Sequence, residues 1–307
     1  MPKVSIGMAV WNGERFLRKA LESLSKQTYK NIEIIILDNL STDNTPHICK
    51  EFVDQDPRIR YILDEKHQSV MNAHIKLAHL ASGEFYMVAC DDDWYEPTYI
   101  SRTTNLIFED PSLGLVYSRM GLIDEDDNKS MSRPTALFKR SDSPFQNLKK
   151  YFKQRNPVPI IFGVVRKEIH LDAMNYYHQP DTRGWDHDNL YMMRLLSQTR
   201  VEGISDSLFY YRQQDRDLLN AKRNQLPQLS AFATYFNHVL HQWSVTRVAK
   251  QIVDRSSFSP REKFFLHIEN LRAYLYYIRF RYLREPIKKS ATWKKMRSIF
   301  TGGRDRL

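Results

Sequence analysis

The 307-residue chain has two cysteines, Cys49 and Cys90. That is too few for a disulfide framework or a zinc cluster, and suits a reducing compartment. No stretch of about eighteen residues is apolar and uncharged, so no membrane-spanning helix is expected. The opening MPKVSIGMAVWNG lacks a basic segment followed by a long apolar one, and no signal peptide is expected. GxGxxG and Walker motifs, internal repeats and low-complexity tracts are also missing, which removes the usual warrant for dinucleotide oxidoreductases and P-loop enzymes.

Charge is unevenly spread. The chain carries a net +10, yet residues 258–307 hold thirteen Lys or Arg against four Asp or Glu, leaving +1 for the first 257 residues. A nearly neutral body with a basic tail does not read as a nucleic-acid-binding domain, and no nucleic-acid partner is expected.

What is present is a strand–helix alternation. Lys3–Val10 alternates and is rich in β-branched residues, Asn12-Gly13 turns the chain, and Glu14–Gln27 has helical apolar spacing. Ile32–Leu37 is an unbroken apolar run, as a parallel strand buried on both faces requires. A helix toward Phe52, a strand at Arg58–Leu63, a helix at Met71–Ala81 and a strand at Phe85–Ala89 follow. After Pro97 the sequence predicts a helix at Thr98–Phe108, a strand at Leu113–Met120 and a hairpin turn at 125–129. Met131–Asn156 reads as a polar, mixed insertion of the kind that forms a mobile lid or an acceptor-binding loop, Gly184–Ser197 as a helix and Ser207–Arg212 as a last strand. The class is α/β, with a mainly parallel sheet flanked by helices.

Asp91-Asp92-Asp93 stands directly behind the Phe85–Ala89 strand. Adjacent carboxylates repel unless a cation, a hydrogen-bond network or solvent relieves them, and ligands of open parallel sheets bind beyond the strands' carboxyl ends. The run therefore reads as a seat for Mg²⁺ or Mn²⁺ bridging to a diphosphate, or else as a solvated acidic turn before Pro97. Asp38 occupies the same position behind another strand, where it either reads a nucleotide or closes a turn. Trp185, Asp186, His187 and Asp188 precede an apolar-patterned helix, the aspartates as a general base toward a hydroxyl or as simple caps, and His187 as a metal ligand or a capping or surface histidine. Arg212 ends the last strand as a partner for phosphate or for a carboxylate.

Taken in order, these segments resemble family 2 glycosyltransferases with a GT-A fold, of the kind that build bacterial polysaccharides and cell-surface glycans. Val4–Glu14 resembles that family's first strand and turn, and Ile34–Thr45 its "VVDNxSTDxT" segment. Ala81–Phe85 resembles "AxGEY", and Asp92-Asp93 with Pro97 fits "DDxxxP". The likeness covers roughly the first 130 residues; Asp188 ahead of Arg194-Leu195 and Leu208–Arg212 extend it. It implies a GT-A, Rossmann-like nucleotide-diphospho-sugar transferase fold, with nucleotide contacts from Ala9, Trp11, Glu14, Asp38 and Asp92. It further implies Mn²⁺ or Mg²⁺ on Asp93 and Asp91, and Asp188 as catalytic base. Trp185, Asp186, His187 and Arg212 become substrate or diphosphate contacts.

The implied reaction moves a sugar from a nucleotide sugar, a UDP-sugar by preference, to the hydroxyl of a glycan or lipid-linked acceptor with inversion. The rival readings are a non-catalytic scaffold of the same fold at a membrane, and a nucleotidyltransferase, which would want a basic Gly-rich loop where Trp11–Glu14 stands. Residues 1–216 are expected to form the catalytic domain, with a nucleotide half at 1–97 and an acceptor half at 98–216. Residues 217–307 are expected to form a helical, basic extension. In it Phe264, Ile268, Leu271, Leu275, Ile278 and Tyr282 make one helical stripe, expected to dock on the body or on the preceding helix. The basic and aromatic residues beyond suit an anionic bilayer, placing the protein in the cytoplasm at the inner face of the membrane.

Overall fold

The computed structural model describes residues 1–131, 137–154, 158–175, 187–213 and 245–278. The elements are β1 (Val4–Val10), α1 (Leu17–Ser25), β2 (Ile32–Asp38), α2 (Thr45–Gln55), β3 (Ile59–Leu63), α3 (Val70–Leu80) and β4 (Phe85–Ala89), then β5 (Trp94–Tyr95), α4 (Tyr99–Glu109), β6 (Leu113–Ile123) and β7 (Lys129–Met131). There follow α5 (Pro144–Gln154), α6 (Val158–Ile161), β8 (Val164–Arg166), α7 (Lys167–Met174), α8 (His187–Leu196) and β9 (Arg200–Arg212). Residues 245–255 are helical, and α9 spans Pro260–Ile278.

One sheet runs in the order β3-β2-β1-β4-β8-β6-β9-β5, with β7 paired to β6. The first four strands are mutually parallel, and β6 and β9 pair in parallel, while β8 is antiparallel to both its neighbours. Every residue of β2 is buried, as its unbroken apolar run requires. Side chains of α1, α2 and α4 fill one face, while α3, α5, α7 and α8 fill the other. The helix through 245–255 and Leu266 of α9 join that second core, so the described part of the C-terminal extension is packed on the sheet domain.

Several expectations are corrected. Part of the 131–156 insertion is the helix α5, whose Leu148, Tyr151 and Phe152 are buried; its apolar positions recur at spacings of three and one. The first helix starts at Leu17 because Gly13 to Phe16 form turns, closed by Phe16 and Leu17 N–H groups that donate to Gly13 O. The described part of the α9 stripe does not form the docking face: Ile268 is half-buried, and the side chain of Ile278 and all of Tyr282 lie outside the described residues. Phe264, Leu271 and Leu275 are exposed, and α9 is held instead through buried Leu266 and through Asn270, whose Nδ2 donates to Thr246 O at 3.0 Å.

The topology brings three strand ends to one edge. Val10 is in register with Asp38, and Met8 with Ala89, so the chain leaving β4 runs past the ends of β1 and β2. There it turns into β5, where Trp94 and Tyr95 pair with Tyr210 and Phe209 near the end of β9.

Candidate active site

The segment Cys90–Asp93 is clamped between β4 and β5. Asp93 is fully buried; the Arg212 backbone N–H donates to its Oδ1 at 2.9 Å. Its Oδ2 is buried and has no hydrogen-bond partner among the described residues. Cys90 Sγ and one carboxylate oxygen each from Asp92 and Asp93 all lie within 4.8 Å of one another. Burial, then the Asp92 charge, pushes the Asp93 carboxyl well above the usual carboxylate range. A buried carboxylate oxygen with no donor, facing a second carboxylate, is an arrangement that a divalent cation relieves, because it supplies both the missing partner and the opposing charge. These residues fit such an ion.

Asp91 stands apart from this cluster. It lies against the β1–α1 turn, where a Cβ on Gly13 would collide with its Oδ2, so the glycine is what lets the acid loop approach. Burial, then Asp92, pushes its carboxyl up to about 7.

Arg212 organises the loop from beneath. Its side chain is buried, and Nε donates to Asp92 O at 2.7 Å. Nη1 donates to Asp127 Oδ1 at 2.8 Å and to Asp124 O. The guanidinium lies 4.5 Å over the Phe16 ring, and Asp127, held at a positive φ of 66°, also pairs with Lys19. One arginine thus ties the acid loop to the β6–β7 turn and to the segment entering α1.

Asp38 sits at the bottom of the neighbouring crevice, fully buried. The Ser41 N–H donates to its Oδ1 and the Tyr61 hydroxyl to its Oδ2, both at 2.8 Å. Leu40, two residues on, has φ 64°, a conformation a leucine adopts only when its surroundings impose it. Here the flanking bonds do so: Asn39 N–H donates to Val10 O, and Asn39 Nδ2 to Gln68 O. Trp11 is exposed at the rim with its ring 5.1 Å from His67. Ala9, half-buried in β1, pairs with Leu37. The Glu14 carboxylate accepts from Asn44 N–H at 2.8 Å, and Glu14 N–H donates to Asp43 Oδ2 at 3.1 Å, which locks the β1 and β2 loops together.

Asp188 lies in the first turn of α8, half-buried. Tyr191, one turn later, is buried with its hydroxyl 2.7 Å from His170 Nδ1. Trp185, Asp186 and the side chain of His187 lie outside the described residues. The strand-end acids Asp38, Asp92 and Asp93 therefore share one sheet edge, as their positions behind strands imply.

Cys90, Tyr61 and Asp127 were not singled out by the sequence. Cys90 carried a signal, since an aspartate-rich run that opens on a thiol puts sulfur beside the carboxylates. Asp127 carried none, because its contact with Arg212 spans 85 residues.

The family described as glycosyl transferase family 2 matches residues 5–169. Glycosyltransferase GlyA of Streptococcus pneumoniae is 37% identical over 119 residues, which make up 38% of this chain and 17% of GlyA. An uncharacterized glycosyltransferase of Methanocaldococcus jannaschii is 26% identical over 244 residues, covering 78% of this chain and 81% of that one. The crystal structure of S. aureus TarS 1-349 in complex with UDP-GlcNAc matches with a TM-score of 0.67 at 16% identity, over 98% of this chain and 81% of that chain. That likeness is one of fold.

Proposed function

The chain belongs to glycosyl transferase family 2 and has the GT-A fold, and on that premise we propose that it transfers a sugar from a nucleotide-diphosphate sugar to an acceptor hydroxyl. The donor is a UDP-sugar, the acceptor a glycan or lipid-linked glycan, and the outcome inversion in surface or extracellular glycan synthesis. The observation that carries this reading is the buried Asp93 carboxylate, clustered with Asp92 and with its Oδ2 lacking a hydrogen-bond partner among the described residues, on the sheet edge where β2 ends in Asp38.

In this reading the nucleoside lies along Ala9, Trp11, Glu14 and Asp38, with Asp92 turned toward the ribose. Trp11, exposed beside His67, offers a ring face to the base. Asp93 and Asp92 would hold Mn²⁺ or Mg²⁺, with Asp91 beside them in the same loop. When bound, the ion neutralises charge on the departing diphosphate. Asp188 takes the proton of the acceptor hydroxyl as that oxygen attacks the anomeric carbon from the face opposite the leaving group; one in-line displacement inverts the configuration. Arg212 acts through the acid loop, holding Asp92 and Asp93 in place, and Trp185, Asp186 and His187 are assigned to substrate or diphosphate contacts.

A panel of UDP- and GDP-sugars, assayed for diphosphate release with Mn²⁺, with Mg²⁺ and with chelator, tests the proposal. Metal-dependent release from one donor, with the product anomer read by NMR, is the expected result. No release together with no nucleotide binding overturns it in favour of a non-catalytic scaffold.

A further inference from the structure

We propose that Cys90 is a ligand of the divalent cation, so that this site presents one sulfur beside the carboxylates of Asp92 and Asp93. The inference rests on the metal reading above and goes beyond it in the donor set. Cys90 follows β4 directly, and its Sγ belongs to the same cluster of potential donor atoms within 4.8 Å as the Asp92 and Asp93 oxygens. The Asp93 carboxylate is buried, with Oδ2 lacking a hydrogen-bond partner among the described residues, so a cation bound by that carboxylate lies within reach of the thiol. Cys90 as a residue is half-buried at the end of β4, beside the Asp92 and Asp93 carboxylates. Asp91, the acid nearest in sequence, is turned to Gly13 and does not compete for that position.

The chemical consequence is selectivity. As the metal–sulfur bond forms, the S–H bond breaks and its proton leaves to solvent; no electron is transferred. Thiolate donors favour Co²⁺, Zn²⁺ and Cd²⁺ over Mg²⁺, which prefers oxygen alone. The site should therefore rank the thiophilic ions well above Mg²⁺, unlike a site built from carboxylates only.

Co²⁺ titration of the full chain tests this without any turnover. A near-ultraviolet sulfur-to-cobalt charge-transfer band is expected in the wild type and in Cys49→Ser, and should be absent from Cys90→Ser. Cys49 is a sound control because it is buried in α2, with its thiol pushed up to about 12 by burial. By calorimetry Cys90→Ser should weaken Cd²⁺ roughly tenfold or more, a loss that even the outer partners of metal ligands cause. Mg²⁺ binding should hardly change. Bound Co²⁺ without the band, with Cd²⁺ as tight in Cys90→Ser as in the wild type, overturns the sulfur ligand and leaves the carboxylate site standing. Failure of the wild type to bind Mn²⁺, Co²⁺ or Cd²⁺ overturns both.

Discussion

The Arg212 backbone N–H donates to Asp93 Oδ1 at 2.9 Å, joining the end of β9 to the acid loop across 119 residues of sequence. The same residue's guanidinium donates to Asp92 O, Asp124 O and Asp127 Oδ1 and covers Phe16. Lysine cannot reproduce a planar group with several fixed donors, and it leaves carbonyl groups without partners. Arg212→Lys should lower the unfolding free energy by about 3 kcal/mol or more, the range for breaking a buried charge network. Urea denaturation measures it; a loss within the range of an exposed ion pair would show that the network is not holding the loop.

Asp93→Asn separates charge from shape. The amide oxygen still accepts from Arg212 N–H, while the buried negative charge, which burial and Asp92 disfavour, is gone. The metal-free variant should melt no lower than the wild type. It should nevertheless lose the Mn²⁺-induced rise in melting temperature and any Mn²⁺-dependent donor hydrolysis. An unchanged Mn²⁺ response would remove Asp93 from the metal site.

Asp188→Asn should lower kcat roughly 10²-fold or more, as expected for loss of a general base, with nucleotide affinity little altered. Asp186→Asn should do much less. Steady-state kinetics beside nucleotide titrations decide the matter, and a reversed order would move the base to Asp186.

His170 gives the fold a pH dependence of its own. Its ring stacks at 4.3 Å on Tyr86, its Nδ1 is 2.7 Å from the Tyr191 hydroxyl, and burial pushes its pKa from 6.5 down to about 3. The unfolded chain therefore takes up a proton that the folded one refuses. Stability from this residue is complete above pH 6.5 and is lost as pH falls toward 3, with a slope of up to about 1.4 kcal/mol per pH unit. In His170→Gln the curve over that window should flatten by one proton relative to wild type; equal slopes in denaturant titrations would mean that the ring ionises freely in the folded state.

The strands of the nucleotide half were legible because a fully buried parallel strand has no polar positions to obscure it, as in Ile32–Leu37, and because each ends in a polar turn. Asp38, Asp92 and Asp93 were legible for the same reason, since a strand end fixes where a following acid points. α5 and α7 were not. Phe145, Leu148 and Tyr151 are diluted by lysines and glutamine, and His170 looks like a polar helix residue until Tyr86 and Tyr191 are seen to enclose it. Arg212 was legible as a partner for a carboxylate, but its bonds to Asp124 and Asp127 were not, because they depend on a hairpin turn that leaves no trace at Arg212. Phe264, Leu271 and Leu275 of the α9 stripe are exposed for an opposite reason: the periodicity is real, but helix periodicity names a face and not the surface that face meets.

That exposed face bears on the membrane. Among the described residues no helix is long and apolar enough to cross one. Phe264, Leu271 and Leu275 are nonetheless open to solvent on α9, and Arg279, Arg281, Arg284, Lys288, Lys289, Lys294, Lys295 and Arg297 follow it in sequence, interspersed with Phe280, Trp293 and Phe300. Apolar side chains beside a basic segment suit the surface of an anionic bilayer, where each cation near the headgroups contributes about 1 kcal/mol. The full chain should co-sediment with anionic liposomes at low salt and release as salt rises. A chain ending near Glu285 should do so much less, and Phe264→Ser with Leu271→Ser should weaken the salt-resistant fraction, while all three still bind nucleotide. Equal sedimentation of the full and shortened chains, or none with anionic lipid, would reduce the tail to a solvated basic surface.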